Sequence, residues 1–402
     1  EKELKRLASY LQPYFLEPPP DLDASGVRKW TQAWKTYRRF SGISGKQVAA
    51  LTRFLSGSLG RFLDQRFESE KLKRLILSNS LYGKHGGPYQ AGTAMGLLFH
   101  LLSGGDKEQQ AWQGHVIGGM GAITEAMQSA CLDLGVSIRT DSTVSKINMI
   151  NACATGVTLS SGETFDAPIV VSNADPKRTF LDLIEASELD AEFRRDVQNI
   201  HMDGPAGKVN YVLAEEPRVT GMPDTRTRSE RSLFTLIPTL QEAEDNYNAC
   251  QRGEIPDRLW VDCVVASNVD DTLAPKGRHM LTCFVQYLPY NLCDRSWESQ
   301  RDDLGDRVTA LIGEYAPNVP ASVVARRVLT PVDLEAQFGI TEGNIFHGDI
   351  SMVQMFFMRP MPDWSQYKTP IDGVYLCGAG THPGGGVTGA PGYNAAHAIL
   401  RG

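Results

Sequence analysis

Close to the carboxyl end, Gly384, Gly386 and Gly389 stand at the G-x-G-x-x-G spacing within "LCGAGTHPGGGVTGAPGYNAAHAIL". Glycines there, with Gly378, Gly380 and Gly385, let backbone amides approach a ligand without an intervening side chain. Amides ahead of a helix also sit at the positive end of its dipole, which favours a pyrophosphate or the electron-rich edge of a flavin ring. A complete dinucleotide fingerprint needs a second parallel strand and an acidic residue about 20 positions on. The chain stops at Gly402. The loop is therefore expected to complete a cofactor site whose main part lies elsewhere.

Other candidates are weaker. "GGMGAITEAM" from Gly118 is a G-x-x-G turn into a helix, with Asp141 at about the spacing of a ribose contact. A tight turn that lets the helix pack on a sheet is the preferred reading. His382 either touches a cofactor phosphate or caps its loop. His347, in "GNIFHGDIS", is a candidate active-site donor or a loop residue bonded to Asp349; lone histidines are usually structural. No Ser-His-Asp spacing, H-E-x-x-H, P-loop or paired-carboxylate pattern is present, so hydrolysis and phosphoryl transfer lack support. Seven cysteines, an odd number with no C-x-x-C, suggest neither a disulfide framework nor a zinc site, and a reducing compartment.

The elements that must position these residues change along the chain. Up to about residue 110, apolar residues recur every three to four positions, as in helices. One of these segments carries Val27, Trp30, Trp34 and Tyr37 as a stripe among Arg28, Lys29, Lys35, Arg38 and Arg39. Such a helix can lie on a membrane surface, but packing of the stripe inside is the expectation, since buried amphipathic helices are commoner. From His115 to Phe180 the pattern is glycine turn, helix, then strands at "VSIRT", "TVSKINMINACATGVTLSSG" and "APIVVSNADP", with Asp175 placed to cap a helix that has Pro176 in its first turn. From about Gly204 to Tyr290 alternating runs such as "RLWVDCVVAS" and "HMLTCFVQYLP" read as an antiparallel sheet. A helix at "RDDLGDRVTALIGEYA" follows, and "GVYLC" and "GYNAAHAIL" supply a last strand and helix. The layout is a discontinuous α/β domain interrupted by an antiparallel insert.

A net charge of −7 and the absence of a basic tail argue against a nucleic-acid partner. The longest apolar stretch, from Ala91, is too short to cross a bilayer. The opening "EKELKRLASYLQPYF" has no initiator Met and reads as a helix already under way, which suggests a fragment.

"GVYLCGAGTHPGGGVTGAPGYNAA", "VIGGMGAITEAM", "VVSNADPKRTF" and "GNIFHGDISMVQMFFMRP", in their order, resemble the phytoene desaturase-like FAD oxidoreductases from about Tyr82 to the end. The resemblance implies a two-domain fold of amine-oxidase type: a discontinuous Rossmann-like FAD domain, an antiparallel-sheet substrate domain and a helical cap. It divides the chain into a cap at 1–110, FAD-domain segments at 111–180 and 366–402, and a substrate domain at 181–365. It further implies that Val144 meets adenine through its backbone, that Gly378, Gly380, Thr381 and His382 lie near the ribityl-pyrophosphate, and that Gly386, Val387 and Thr388 start a helix facing the flavin N1 and O2 edge. No metal is implied.

The first strand, glycine turn and helix of the family pattern are not in this sequence, so truncation is the expected explanation and tight FAD binding by this chain is not expected. The implied activity is hydride transfer to flavin from a hydrophobic, polyene or isoprenoid-like substrate, in a tunnel walled by the antiparallel sheet and the helices from Trp30 to Phe62. Amine oxidation, redox-neutral isomerisation and a non-catalytic interaction protein are the alternatives. The expected setting is the cytoplasm of a bacterium or the mitochondrial matrix of a eukaryote, with peripheral membrane contact and homo-oligomerisation both compatible with it.

Overall fold

The structure is a computed structural model that describes residues 9, 11–21, 24–78, 80–82, 86–103, 114–202, 204, 206–223 and 225–401. Five helices come first: α1 (Gly26–Phe40), α2 (Gly45–Ser56), α3 (Leu59–Asp64), α4 (Glu70–Leu77) and α5 (Met95–Ser103). Serines set three of the starts. Ser44 and Gln47 form a reciprocal capping box on α2, and the Ser58 and Ser69 hydroxyls accept amides at the starts of α3 and α4. Phe54, Leu59, Leu63, Leu77 and Leu98 turn inward from this cap.

Helix α1 departs from expectation. Val27, Trp30, Trp34 and Tyr37 are 80%, 78%, 61% and 70% exposed rather than packed inside. The chain holds the helix by its other face. Lys35 and Arg39 pair with Glu17 at 2.9 and 3.2 Å, Gln32 accepts the Asp21 amide at 3.1 Å, and Phe40 stacks on Tyr14.

Helix α6 (Gly121–Asp133) leads to the antiparallel sheet of β1 (Val144–Ile150), β2 (Cys153–Leu159) and β3 (Thr164–Asp166). Two expectations fail here. No residue of α6 is buried, so it does not pack on a sheet as its glycine turn suggested. The turn itself is present: Gly118 and Gly119 have φ of 87° and 82°, and the Gly118 amide donates to Asp270 at 2.6 Å. The "VSIRT" segment forms no strand, because Val136 and Ile138 are exposed and pair with no strand among the described residues.

Strand β4 (Val170–Ser172) pairs in parallel with β10 (Val374–Leu376), joining segments 204 residues apart in the sequence by Val170 opposite Val374. Behind this pair a core of Phe180, Phe193, Val197, Val374 and Leu376 includes α7 (Ala191–Gln198). Between them runs a five-stranded antiparallel sheet of order β6-β7-β8-β5-β9, made of β5 (Gly207–Leu213), β6 (Leu233–Leu236), β7 (Trp260–Val265), β8 (His279–Gln286) and β9 (Val323–Leu329). Helix α8 (Leu240–Gln251) connects β6 to β7, opened by a Thr239–Glu242 capping box. Alternation puts Val209, Tyr211, Val261, Cys263, Cys283 and Val285 on one face, against Leu304, Val308 and Ile312 of α9 (Trp297–Tyr315). The opposite face carries Lys208, Phe284 and Asp262 in one row. Strand β9 was not anticipated, and α10 (Pro331–Phe338) and α11 (Ala390–Arg401) complete the chain.

Candidate active site

The parallel strands β4 and β10 end side by side, with Leu376 opposite Ser172 and the Cys377 amide donating to the Ser172 carbonyl at 2.9 Å. Ligands of α/β sheets bind beyond such carboxyl ends. Asn173 to Pro176 leave one strand and the glycine loop leaves the other, almost backbone to backbone. A Cβ on Gly378 would fall 2.6 Å from the Asn173 carbonyl oxygen, and one on Gly380 2.5 Å from Pro176 Cδ. Thr381 closes the turn, its hydroxyl and amide donating to the Gly378 carbonyl at 2.8 and 3.0 Å.

Asp175 is fully buried and does more than cap. It accepts the Arg178 amide at 3.0 Å, as expected from sequence, and also the Thr341 amide at 3.0 Å and hydroxyl at 2.8 Å. That tie draws the segment bearing His347 to the strand ends. The His347 carbonyl oxygen lies 3.3 Å from the position of a Gly380 Cβ, so His347 and the glycine loop meet. His347 is half-buried, with a left-handed φ of 57° and a buried Nδ1 that has no hydrogen-bond partner. Burial depresses its pKa, opposed by Asp175 and aided by Arg359, so the ring is neutral near pH 7. No hydrogen bond from its ring to Asp349 forms.

Arg359, 1% exposed, holds this site together. Its guanidinium donates to the carbonyl oxygens of Phe346 (2.6 Å), Ala379 (2.8 Å), Asp349 (3.2 Å) and Gln354 (3.2 Å), spanning the His347 segment and the glycine loop. Burial lowers its pKa to about 10, against the pull of Asp349, and it remains charged. Sequence reasoning missed this residue. A cation at the end of the apolar "MVQMFFMRP" was the available signal.

His382 is placed differently from the other loop residues. Its Nε2 hydrogen-bonds the Tyr14 carbonyl at 2.6 Å, its backbone carbonyl accepts from Tyr367, and burial pushes its pKa down to about 4. The imidazole thus fastens the glycine loop to the cap. Gly386, Val387 and Thr388 do not begin a helix, because Gly386, Val387 and Gly389 have φ of 123°, 57° and 70°, which no right-handed helix admits. They form an exposed turn, and α11 starts at Ala390, whose amide donates to the Thr388 hydroxyl at 3.2 Å. Val144 begins β1 opposite Leu159, in a sheet separate from the β4–β10 pair, and Asp141 is exposed beside it.

A cavity of about 1220 Å³ opens in the cap between α2, α3, α4 and α5, lined among others by Phe54, Phe62, Phe67, Leu72, Ile76 and Leu97. Among the described residues neither helix α1 nor the five-stranded sheet contributes to its wall, so the expected tunnel between sheet and helices is not what forms. Phe54 shares an apolar cluster with Phe356, whose ring lies 6.0 Å from that of His382. Phe346 packs 3.1 Å from the position of a Gly385 Cβ. Apolar side chains therefore run from the cavity to the glycine loop. Among the described residues no group of three His, Cys, Asp or Glu could hold a metal ion, and no helix is long and apolar enough to cross a membrane.

A glycine turn beyond the carboxyl ends of paired parallel strands, with an unpartnered imidazole nitrogen beside it, is the kind of place where α/β folds hold a nucleotide. The chain belongs to the flavin containing amine oxidoreductase family, which matches residues 27–400. It is 34% identical to pyridine nucleotide-disulfide oxidoreductase domain-containing protein 2 of Mus musculus, over all of this chain and 71% of that protein. Against the lycopene-forming phytoene desaturase of Pantoea ananas the identity is 26%, over 81% of this chain and 62% of that enzyme. A solved triple mutant of putrescine oxidase shares the fold, with a TM-score of 0.53 and 14% identity over all of this chain and 76% of that one. The protein is accordingly an FAD-dependent oxidoreductase of the phytoene desaturase-like kind.

Proposed function

We propose that the protein dehydrogenates a hydrophobic, isoprenoid-like substrate. The observation that carries this reading is the largely apolar cavity of about 1220 Å³ in the cap, whose wall residue Phe54 belongs to the packed apolar cluster that includes Phe356, beside His382 of the glycine loop. FAD supplies the hydride acceptor when bound. The amides of Gly378, Gly380 and Thr381 would border its pyrophosphate side, those of Gly386, Val387 and Thr388 the N1 and O2 edge of the ring, and Val144 its adenine. His382 serves these contacts indirectly, by anchoring the loop to Tyr14. His347, whose buried Nδ1 has no hydrogen-bond partner, would orient the substrate on the other side. Arg359 keeps the two loops in register.

The phytoene desaturase relative, named for a polyene, agrees with this substrate class. Amine oxidation is the second reading, favoured by the family description. Anaerobic mixing of the FAD-loaded protein with an acyclic polyene or with a primary amine separates the two. Bleaching of the visible flavin band by the polyene alone is expected. Bleaching by the amine alone, or by neither, overturns the proposal.

A further inference from the structure

Helix α1 presents its apolar stripe outward. Val27, Trp30, Trp34 and Tyr37 fall on one side of the helix, while Gln32, Lys35 and Arg39, which fasten it to the chain, fall on the other. An amphipathic helix of a globular protein normally turns its apolar side to the core. Here the fastened side is the polar one, so the stripe's exposure is built in by four contacts rather than left over from poor packing.

Charge selects the occupant. The helix carries Arg28, Lys29, Lys35, Arg38 and Arg39 and no acidic residue, in a chain whose net charge is −7. A second copy would bring the same excess of positive charge against itself. Arg38 lies over the Trp34 ring, 5.3 Å from its centroid, so a cation and an aromatic ring emerge together beside the stripe. Tryptophan and tyrosine settle at the boundary between headgroups and acyl chains, where cations meet lipid phosphates. We infer that α1 seats the protein on an anionic phospholipid bilayer, with Trp30, Trp34 and Tyr37 inserted below the headgroups and Lys29 and Arg38 held at the phosphates. This surface is distinct from the flavin site, and binding through it needs no turnover. An apolar substrate would be met in the phase that dissolves it.

The test is co-sedimentation of the full chain with vesicles of phosphatidylcholine, with or without about 30 mol% phosphatidylglycerol. Expected is binding to the anionic vesicles and its loss in high salt. In Trp30→Ser/Trp34→Ser and, separately, Lys29→Glu/Arg38→Glu, partitioning should fall roughly tenfold or more. All four side chains lie outside the contacts that fasten the helix, and an unchanged circular dichroism melt confirms the fold. Wild-type protein that stays in the supernatant overturns the inference, as do variants that bind equally well. So does size-exclusion chromatography showing a wild-type dimer that the tryptophan variant dissociates, because the stripe would then be a subunit interface.

Discussion

Asp262 is a buried carboxyl group on the sheet face opposite α9. It is 7% exposed, accepts from Gln286 at 3.2 Å, and burial, only partly offset by Tyr82 and Thr235, lifts its pKa from 3.8 to about 6. The folded chain therefore holds that proton more tightly than the unfolded chain. Its contribution to stability is whole below pH 3.8, fades as the pH rises through 6, and is absent above. At about 1.4 kcal/mol per pH unit of separation, the cost at pH 8 is roughly 3 kcal/mol at most. Asp262→Asn, which cannot ionise, should raise the thermal midpoint at pH 8 and give no gain at pH 4. An equal change at both pH values would show that packing, not charge, governs the site. Arg359 is the opposite case, a buried cation matched to carbonyl oxygens on every side. Arg359→Met should cost about 3 kcal/mol or more, because the carbonyls are left without donors; urea unfolding measures it, and a loss under 1 kcal/mol would contradict the role given to it.

The contacts between elements set the demands on the glycine loop. Adding a Cβ at Gly380 brings it 2.5 Å from a proline ring that cannot rotate away, so the β4 and β10 loops must separate. Gly380→Ala should destabilise by roughly 1 to 3 kcal/mol in the same unfolding assay. Val387 is strained differently, a β-branched residue at φ 57° with a 75% exposed side chain. Val387→Gly should raise stability by about 1 kcal/mol, since glycine adopts that angle freely, and a loss would show that the side chain makes a contact outweighing the strain. The sequence made most elements legible. Period-two runs marked β7 and β8, and glycine density marked the loop. Strand β9 was hidden because "VVARRVL" places Arg326, opposite Tyr211, where alternation calls for an apolar residue, which an edge strand tolerates when Arg326 reaches Asp306. The direction faced by α1 was illegible for another reason: periodicity shows that one side of a helix is apolar, and only Glu17, Asp21 and Tyr14 decide which side meets the chain.

At the scale of the molecule, the site joins parts that the chain keeps far apart. The cap reaches the glycine loop through Tyr14 to His382, the central segment through Arg359 to Ala379, and β4 through its pairing with β10. None of these long-range ties follows from local pattern, which is why Arg359 escaped the sequence while the loop it holds did not. A ligand bound at this junction should stabilise all three parts together, because binding to the folded state alone adds RT ln(1 + [L]/Kd), about 2.7 kcal/mol at a hundredfold excess over Kd. Added FAD should therefore raise the thermal midpoint in a saturable way. The shift should be lost in Gly380→Ala, where the loops are parted, and kept in Asp262→Asn, whose carboxyl sits in the other sheet. Differential scanning fluorimetry with FAD, and with adenosine monophosphate as a control, decides between outcomes. Equal shifts in both variants would place the nucleotide away from the β4–β10 ends, and the glycine turn would then be a connection rather than a cradle.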